Sequence, residues 1–141
     1  MVKKITILIA TSDDVIFNAV KNIVTGEIFN VHQILEFQAV EIPIFEHSSV
    51  LIVDLGPPSI PMSKWDFVKK VRSLHPSHLP TIILAYPSNN YDYLKPDHKI
   101  LYDICLIMPV DLAEILHGIK KLTGYYPWGV DWDEKAANMS I

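Results

Sequence analysis

The stretch Val50-Leu51-Ile52-Val53-Asp54-Leu55-Gly56 decides the fold. Four aliphatic residues run without a polar interruption and stop on a carboxylate, two positions before a glycine. A strand with one wet face alternates polar and apolar side chains, whereas an unbroken aliphatic run reads as a strand buried on both faces. Three further runs are of the same kind: Ile5-Thr6-Ile7-Leu8-Ile9-Ala10, Thr81-Ile82-Ile83-Leu84-Ala85 and Ile104-Cys105-Leu106-Ile107-Met108. A weaker strand is expected over residues 28–32. Helical patterns separate these runs. Ile16, Ala19, Val20 and Ile23 fall on one helical face. Ser63-x-x-Asp66 forms a weak capping box that opens a helix through Trp65, Phe67, Val68, Val71 and Leu74. Leu112, Ile115, Leu116, Ile119 and Leu122 make a third stripe, closed by Gly124. Pro43 interrupts residues 37–46 and Pro96 interrupts residues 91–101, so both connections are expected to be short, kinked or partly irregular.

This alternation predicts an α/β fold with a doubly wound five-stranded parallel sheet between two layers of helices. In such a sheet the functional crevice lies at the carboxyl ends of the strands. Thr11, Ser12, Asp54, Ala85, Tyr86 and Met108 stand there.

Composition narrows the functions. The 141 residues are half apolar and one fifth charged, and a chain of this length buries roughly 68% of its unfolded surface. Twelve basic against 16 acidic residues leave a net charge of −4, which counts against a nucleic-acid groove. No apolar run approaches the ~20 residues needed to span a membrane. Met1-Val2-Lys3-Lys4 mimics the start of a signal peptide, but Thr11-Ser12-Asp13-Asp14 ends the apolar part after about six residues, so no leader is expected. Cys105 is the sole cysteine, which fits a reducing cytoplasm. The plan divides the chain into a domain over residues 1–122 and a tail over residues 123–141. Tyr125, Tyr126, Trp128 and Trp132 crowd the tail. Burying each large side chain gains roughly 1.5–3 kcal/mol, so the tail is expected to pack on its own body, on a partner or on a second copy.

Asp54 at the end of a buried strand, Pro58 four residues on, the following helix, and Met108-Pro109 before Asp111-Leu112-Ala113-Glu114 resemble the receiver domain of two-component response regulators (the CheY-like family). The resemblance spans about residues 3–122 and implies a flavodoxin-like sheet of order 2-1-3-4-5. In that family an acidic pair ends the first strand, an Asp ends the third, a Thr or Ser ends the fourth and a Lys-Pro pair ends the fifth. Here the acidic pair maps to Thr11 and Ser12, the hydroxyl to Ala85, the lysine to Met108, and the aromatic switch position to Cys105. Sliding the first strand to make Asp13 and Asp14 the pair would turn Asn18 and Lys21 toward the sheet, so the unshifted register holds and Asp13 starts the helix. Lys64 stands near a position that is usually glycine in the family.

These departures remove the chemistry. Phosphorylating an aspartate adds nearly two negative charges, and phosphoryl transfer relies on positioning and on neutralisation by Mg²⁺ and a cation. Mg²⁺ relies on carboxylates, whereas Thr11 and Ser12 offer neutral hydroxyls. Met108 brings no charge and Ala85 no hydroxyl. The resemblance therefore implies a pseudo-receiver with Asp54 as a vestigial phosphoacceptor. The plainer reading of Asp54 is an acceptor for backbone N–H groups of the next turn.

Other constellations carry less. His75-x-x-His78, with His47 or His98, lacks a Cys or carboxylate cluster, so no metal is expected. No Gly-rich loop follows the first strand, and Asp13 and Asp14 would repel a phosphate, so no cofactor is expected. Asp54-Leu55-Gly56 lacks a cobalamin-type histidine, and no G-x-S-x-G elbow is present. Lys69-Lys70 and Lys120-Lys121 read as solvated helix faces. The expected function is a non-catalytic protein-interaction module. By resemblance its contact face is the fourth helix, fifth strand and fifth helix, including Cys105 and joined by the aromatic tail, and homodimerisation is plausible. Two rivals remain. One is a phosphorylated receiver using Asp13 as metal ligand and Lys64 as cation; the other is a small-molecule sensor with Ala85 and Met108 as its floor.

Overall fold

The computed structural model describes residues 5–24, 29–34, 49–56, 64–74, 79–89 and 91–124. Five strands, β1 (Ile5–Ala10), β2 (Phe29–Ile34), β3 (Val50–Asp54), β4 (Thr81–Ala85) and β5 (Ile104–Ile107), form one sheet of order β2-β1-β3-β4-β5. Every pairing is parallel. β3 and β4 are buried along their whole length, as their unbroken aliphatic runs require. β2 is an edge strand of intermediate burial and extends to Ile34, two residues beyond the reading from sequence. Its half-wet pattern explains the weaker signal.

The described helices are α1 (Asp14–Ile23), α2 (Lys64–Leu74), α3 (Pro96–Lys99) and α4 (Leu112–Thr123). One side of the sheet packs Ile7, Ile9, Ile52, Ile82 and Leu84 against α1 and α4. The other packs Leu8, Leu51, Val53 and Ile83 against Phe67, Val68 and Val71 of α2 and against Tyr93. The apolar stripe of α1 faces the core through Ile16, Val20 and Ile23, while Asn18 and Lys21 stay exposed, so the unshifted register is the observed one.

Residues 91–101 are short and irregular, with a 3₁₀ turn over Asp92–Leu94 followed by the four-residue α3. Pro96 occupies the first turn of α3, where its missing N–H costs nothing, so it opens the helix it was expected to interrupt. α4 ends on Gly124 in the left-handed region (φ 83°), with the Gly124 N–H donating to Lys120 O at 2.7 Å. Residues 37–46, Ser63 with its capping box, His47, the His75/His78 pair and the aromatic residues 125–132 lie outside the described residues.

Candidate functional site

The parallel register assembles the site. Ala10 pairs with Val53 and Asp54 with Leu84, which sets Thr11, Asp54 and the start of the β4–β5 connection side by side at the carboxyl end of the sheet. Asp54 is only 6% exposed. A carboxylate buried to this degree requires hydrogen-bond partners, and it has them. The Thr11 hydroxyl donates to Oδ2 at 2.6 Å and the Gly56 N–H donates to Oδ1 at 2.8 Å. The Tyr86 ring closes over the same turn, since a Cβ on Gly56 would lie 3.2 Å from its Cζ and 2.9 Å from Asp54 Oδ1. Burial raises the Tyr86 pKa far above the ordinary tyrosine range, helped by the proximity of Asp54 and by the charge of Asp13.

Thr11 extends the chain, since its hydroxyl accepts the Asp13 N–H at 3.0 Å. Asp13 is the N-cap of α1 and spends Oδ1 on the Val15 N–H at 2.9 Å. Asp14 accepts from the Gln33 amide at 3.1 Å. Gly56 is needed for closeness: a Cβ there would come within 2.9 Å of Asp54 Oδ1 and 3.2 Å of the Tyr86 ring. Lys64, the first residue of α2, sends its ammonium back to Asp54 O at 2.9 Å and Gly56 O at 2.5 Å. Partial burial lowers its pKa, and the nearby Asp54 charge opposes that shift.

An open depression of about 580 Å³ adjoins this cluster, lined by Ser12, Asp13, Asp14, Val15, Asp54 and Tyr86. The crevice floor expected from Ala85 and Met108 is not part of it. Ala85 is fully buried on the α2 side, and Met108, 7% exposed, packs among Val110 and Leu112 on the α1/α4 side. An unbranched apolar side chain at the strand end gains more from this core than from solvent. The Met108–Pro109 peptide is cis. Cys105 stands apart, packed against the core on the α2 side, its thiol pKa raised by burial.

Thr11, Asp54 and Asp13 therefore come together as expected, with Ser12 exposed beside them. Sequence placed Tyr86 at the strand end and offered Lys64 as a cation for Asp54; the structure puts the Lys64 ammonium on the backbone carbonyls of Asp54 and Gly56 rather than on the carboxylate. Gly56, two residues after the aspartate, was the visible trace of a tight turn. The set does not fit Mg²⁺: Asp54 is surrounded by hydroxyl and amide donors, and the nearby carboxylates of Asp13 and Asp14 are engaged with their own helix and with Gln33. Among the described residues no group of three or more His, Cys, Asp or Glu is placed to hold a metal, and no helix is long and apolar enough to cross a membrane.

Sheet order, two-sided core and the position of Asp54 define a fold, that of the response-regulator receiver domain. Solved structures bear this out. The chain superimposes on a receiver domain protein (CheY-like) from Methanospirillum hungatei with a TM-score of 0.64 and 21% identity, covering 84% of this chain and 93% of that one. It matches a chain of the co-crystal of the Saccharomyces cerevisiae phosphotransfer protein Ypd1 with the Ssk1 receiver domain at 0.67 and 15%, covering 96% and 99%. A structure described as adenylate cyclase from Rhodopirellula baltica matches at 0.71 and 17%, covering 87% and 90%. Neither a family model nor a curated protein matches the sequence.

Proposed function

We propose that this chain is a receiver-fold signalling module of the cytoplasm that binds protein partners, performs no catalysis and works without phosphorylation of Asp54. One observation carries the reading: both Asp54 carboxylate oxygens already hold donors, from Thr11 and Gly56. A donor on each oxygen lowers the nucleophilicity that attack on phosphorus needs, and the product must have its new charge neutralised. Here the Lys64 ammonium is engaged by two backbone carbonyls, and Asp13 and Asp14 line the adjoining depression. Protein partnership is supported by the Ypd1–Ssk1 co-crystal among the structural neighbours. The contact surface in this reading is α3, β5 with Cys105, and α4, together with Tyr125, Tyr126, Trp128 and Trp132, and it serves a partner protein or a second copy.

A second reading has its own support. Lys64 reaches the Asp54 backbone from α2, so a cation lies close to the carboxylate although residue 108 is methionine. In that reading Asp54 is phosphorylated by a histidine kinase. Amide NMR of the full chain, titrated with Mg²⁺ and then with Mg²⁺ plus beryllofluoride, separates the two. Unmoved signals at Asp54, Gly56 and Tyr86 are expected. Saturable shifts spreading from Asp54 toward α4 would replace the first reading with the second.

A further inference from the structure

Residues 91–101 hold themselves together and are attached to the body by side chains. The N–H groups of Leu94, Lys95, His98, Lys99 and Leu101 donate to the carbonyls of Tyr91, Asp92, Lys95, Lys95 and His98, all within the segment. Only beyond it does the backbone join the sheet again. The Asp103 N–H donates to Thr81 O at 2.9 Å, and Asp103 Oδ2 accepts the Thr81 N–H at 2.8 Å. At the other end, Tyr91 adopts a left-handed φ of 60°, which is unfavourable for a residue with a Cβ.

Helix α2 supplies the attachments. Trp65 and Arg72 stand two turns apart on one face of it, roughly 10 Å along the axis. Trp65 Nε1 donates to Asp92 Oδ2 at 2.5 Å, and the ring stacks on the His98 imidazole at 4.2 Å with planes 8° apart. His98 Nδ1 lies 2.9 Å from Asp92 O, so the 3₁₀ turn and α3 share one indole. Arg72 holds the exit, donating to Leu101 O at 2.9 Å. Tyr93 is the one buried side chain of the segment, and its carbonyl accepts the Tyr102 hydroxyl at 2.8 Å. Tyr91, Leu94 and Ile100 face outward. Few contacts therefore hold the segment down, and they gather on a single residue. We infer that residues 91–101 are a strap latched to α2 by Trp65, which lifts as one unit about Tyr91 and Leu101 when the indole releases Asp92 and His98. Lifting frees the Trp65 and Tyr93 rings beside Tyr91, Leu94 and Ile100, so the latch sets the shape that the α3 region offers to a partner.

This deepens the proposed protein-contact reading and rests on it for its purpose. The strap's motion is measured with neither partner nor phosphoryl mimic present, so the two fail separately. Relaxation-dispersion NMR of the full chain reads motion on the microsecond-to-millisecond scale. Amides of residues 92–100 should share one exchange rate and one minor population, while those of Ile52 and Ile83 in the buried strands stay flat. Trp65→Phe keeps a ring against His98 but has no N–H for Asp92, and it should raise the minor population at least about threefold. Asp92→Ala removes the other half of the latch at a half-exposed position and should do the same. Flat dispersion over residues 92–100 in both variants overturns the proposal. So do rates that differ from residue to residue, which would mean local fraying, and so does a shared population that neither variant moves.

Discussion

Adjacent residues at the start of α2 hold two different carboxylate clusters. Lys64 turns to the buried turn at Asp54, while the Trp65 indole donates to Asp92 Oδ2 at 2.5 Å on the outer side of α2. Asp54 is almost wholly buried and its side chain is held by a threonine hydroxyl and a backbone amide. Asp92 keeps a third of its side chain in water and is paired with a cation: Lys95 Nζ lies 3.0 Å from Oδ1, while His98 Nδ1 lies 3.4 Å from Oδ2 with the imidazole stacked on Trp65 at 4.2 Å. Burial decides the difference. Where water is excluded, each missing donor leaves a charge uncompensated; where water remains, it replaces any partner that is lost.

The comparison ranks the effects of substitution. Asp54→Ala strands the Thr11 hydroxyl and the Gly56 N–H, and should lower unfolding free energy by roughly 3 kcal/mol in urea titration. A loss as small as that of Asp92→Asn would break the contrast. Gly56→Ala drives a methyl against Asp54 and Tyr86 and should cost about 1–3 kcal/mol as local overpacking.

Tyr86→Phe should change stability by less than about 1 kcal/mol at neutral pH and remove a late-titrating phenol from the absorbance at 295 nm. The folded pKa of Tyr86 is raised above its unfolded value. Its contribution is thus fully present below about pH 10 and is lost as pH rises toward the folded value. The variant should lack this alkaline loss.

The smallest effect belongs to Asp92→Asn, below about 1 kcal/mol and weakened further by salt. Partial desolvation pushes the Asp92 pKa up, but hydrogen bonds from Lys95 and Trp65 with the charges of His98 and Lys95 outweigh it, and the net shift is downward. Its contribution is therefore present above about pH 3.9 and disappears as pH falls through the lower folded value. Urea midpoints between pH 5 and pH 2 should fall less in the variant than in the native chain. Equal acid sensitivity would remove Asp92 from the account.

Legibility followed the same division between buried and wet. β3 and β4 were readable because strands buried on both faces run aliphatic throughout, with polar residues only at their ends, Asp54 and Thr81. β2, at the sheet edge and half exposed, lost its signal and its boundaries. Asp54 was readable as a carboxylate closing a buried strand, and Thr11 as its neighbour. Tyr86 followed β4 without any pattern tying it to a residue more than thirty positions earlier. Met108 was visible as a lost lysine, but not as a core residue, because a strand end can turn either to the crevice or to the helices.

Periodicity and residue type by themselves determined the α/β alternation, the register of α1 and the Gly124 stop, since each depends on burial or backbone freedom within a few residues. Only the tertiary structure decided that Lys64, Tyr86 and Gly56 converge on the Asp54 turn and that Met108 leaves it. Those choices depend on which side chains the parallel register brings together. Sequence neighbours do not encode the distances on which hydrogen bonding and desolvation act.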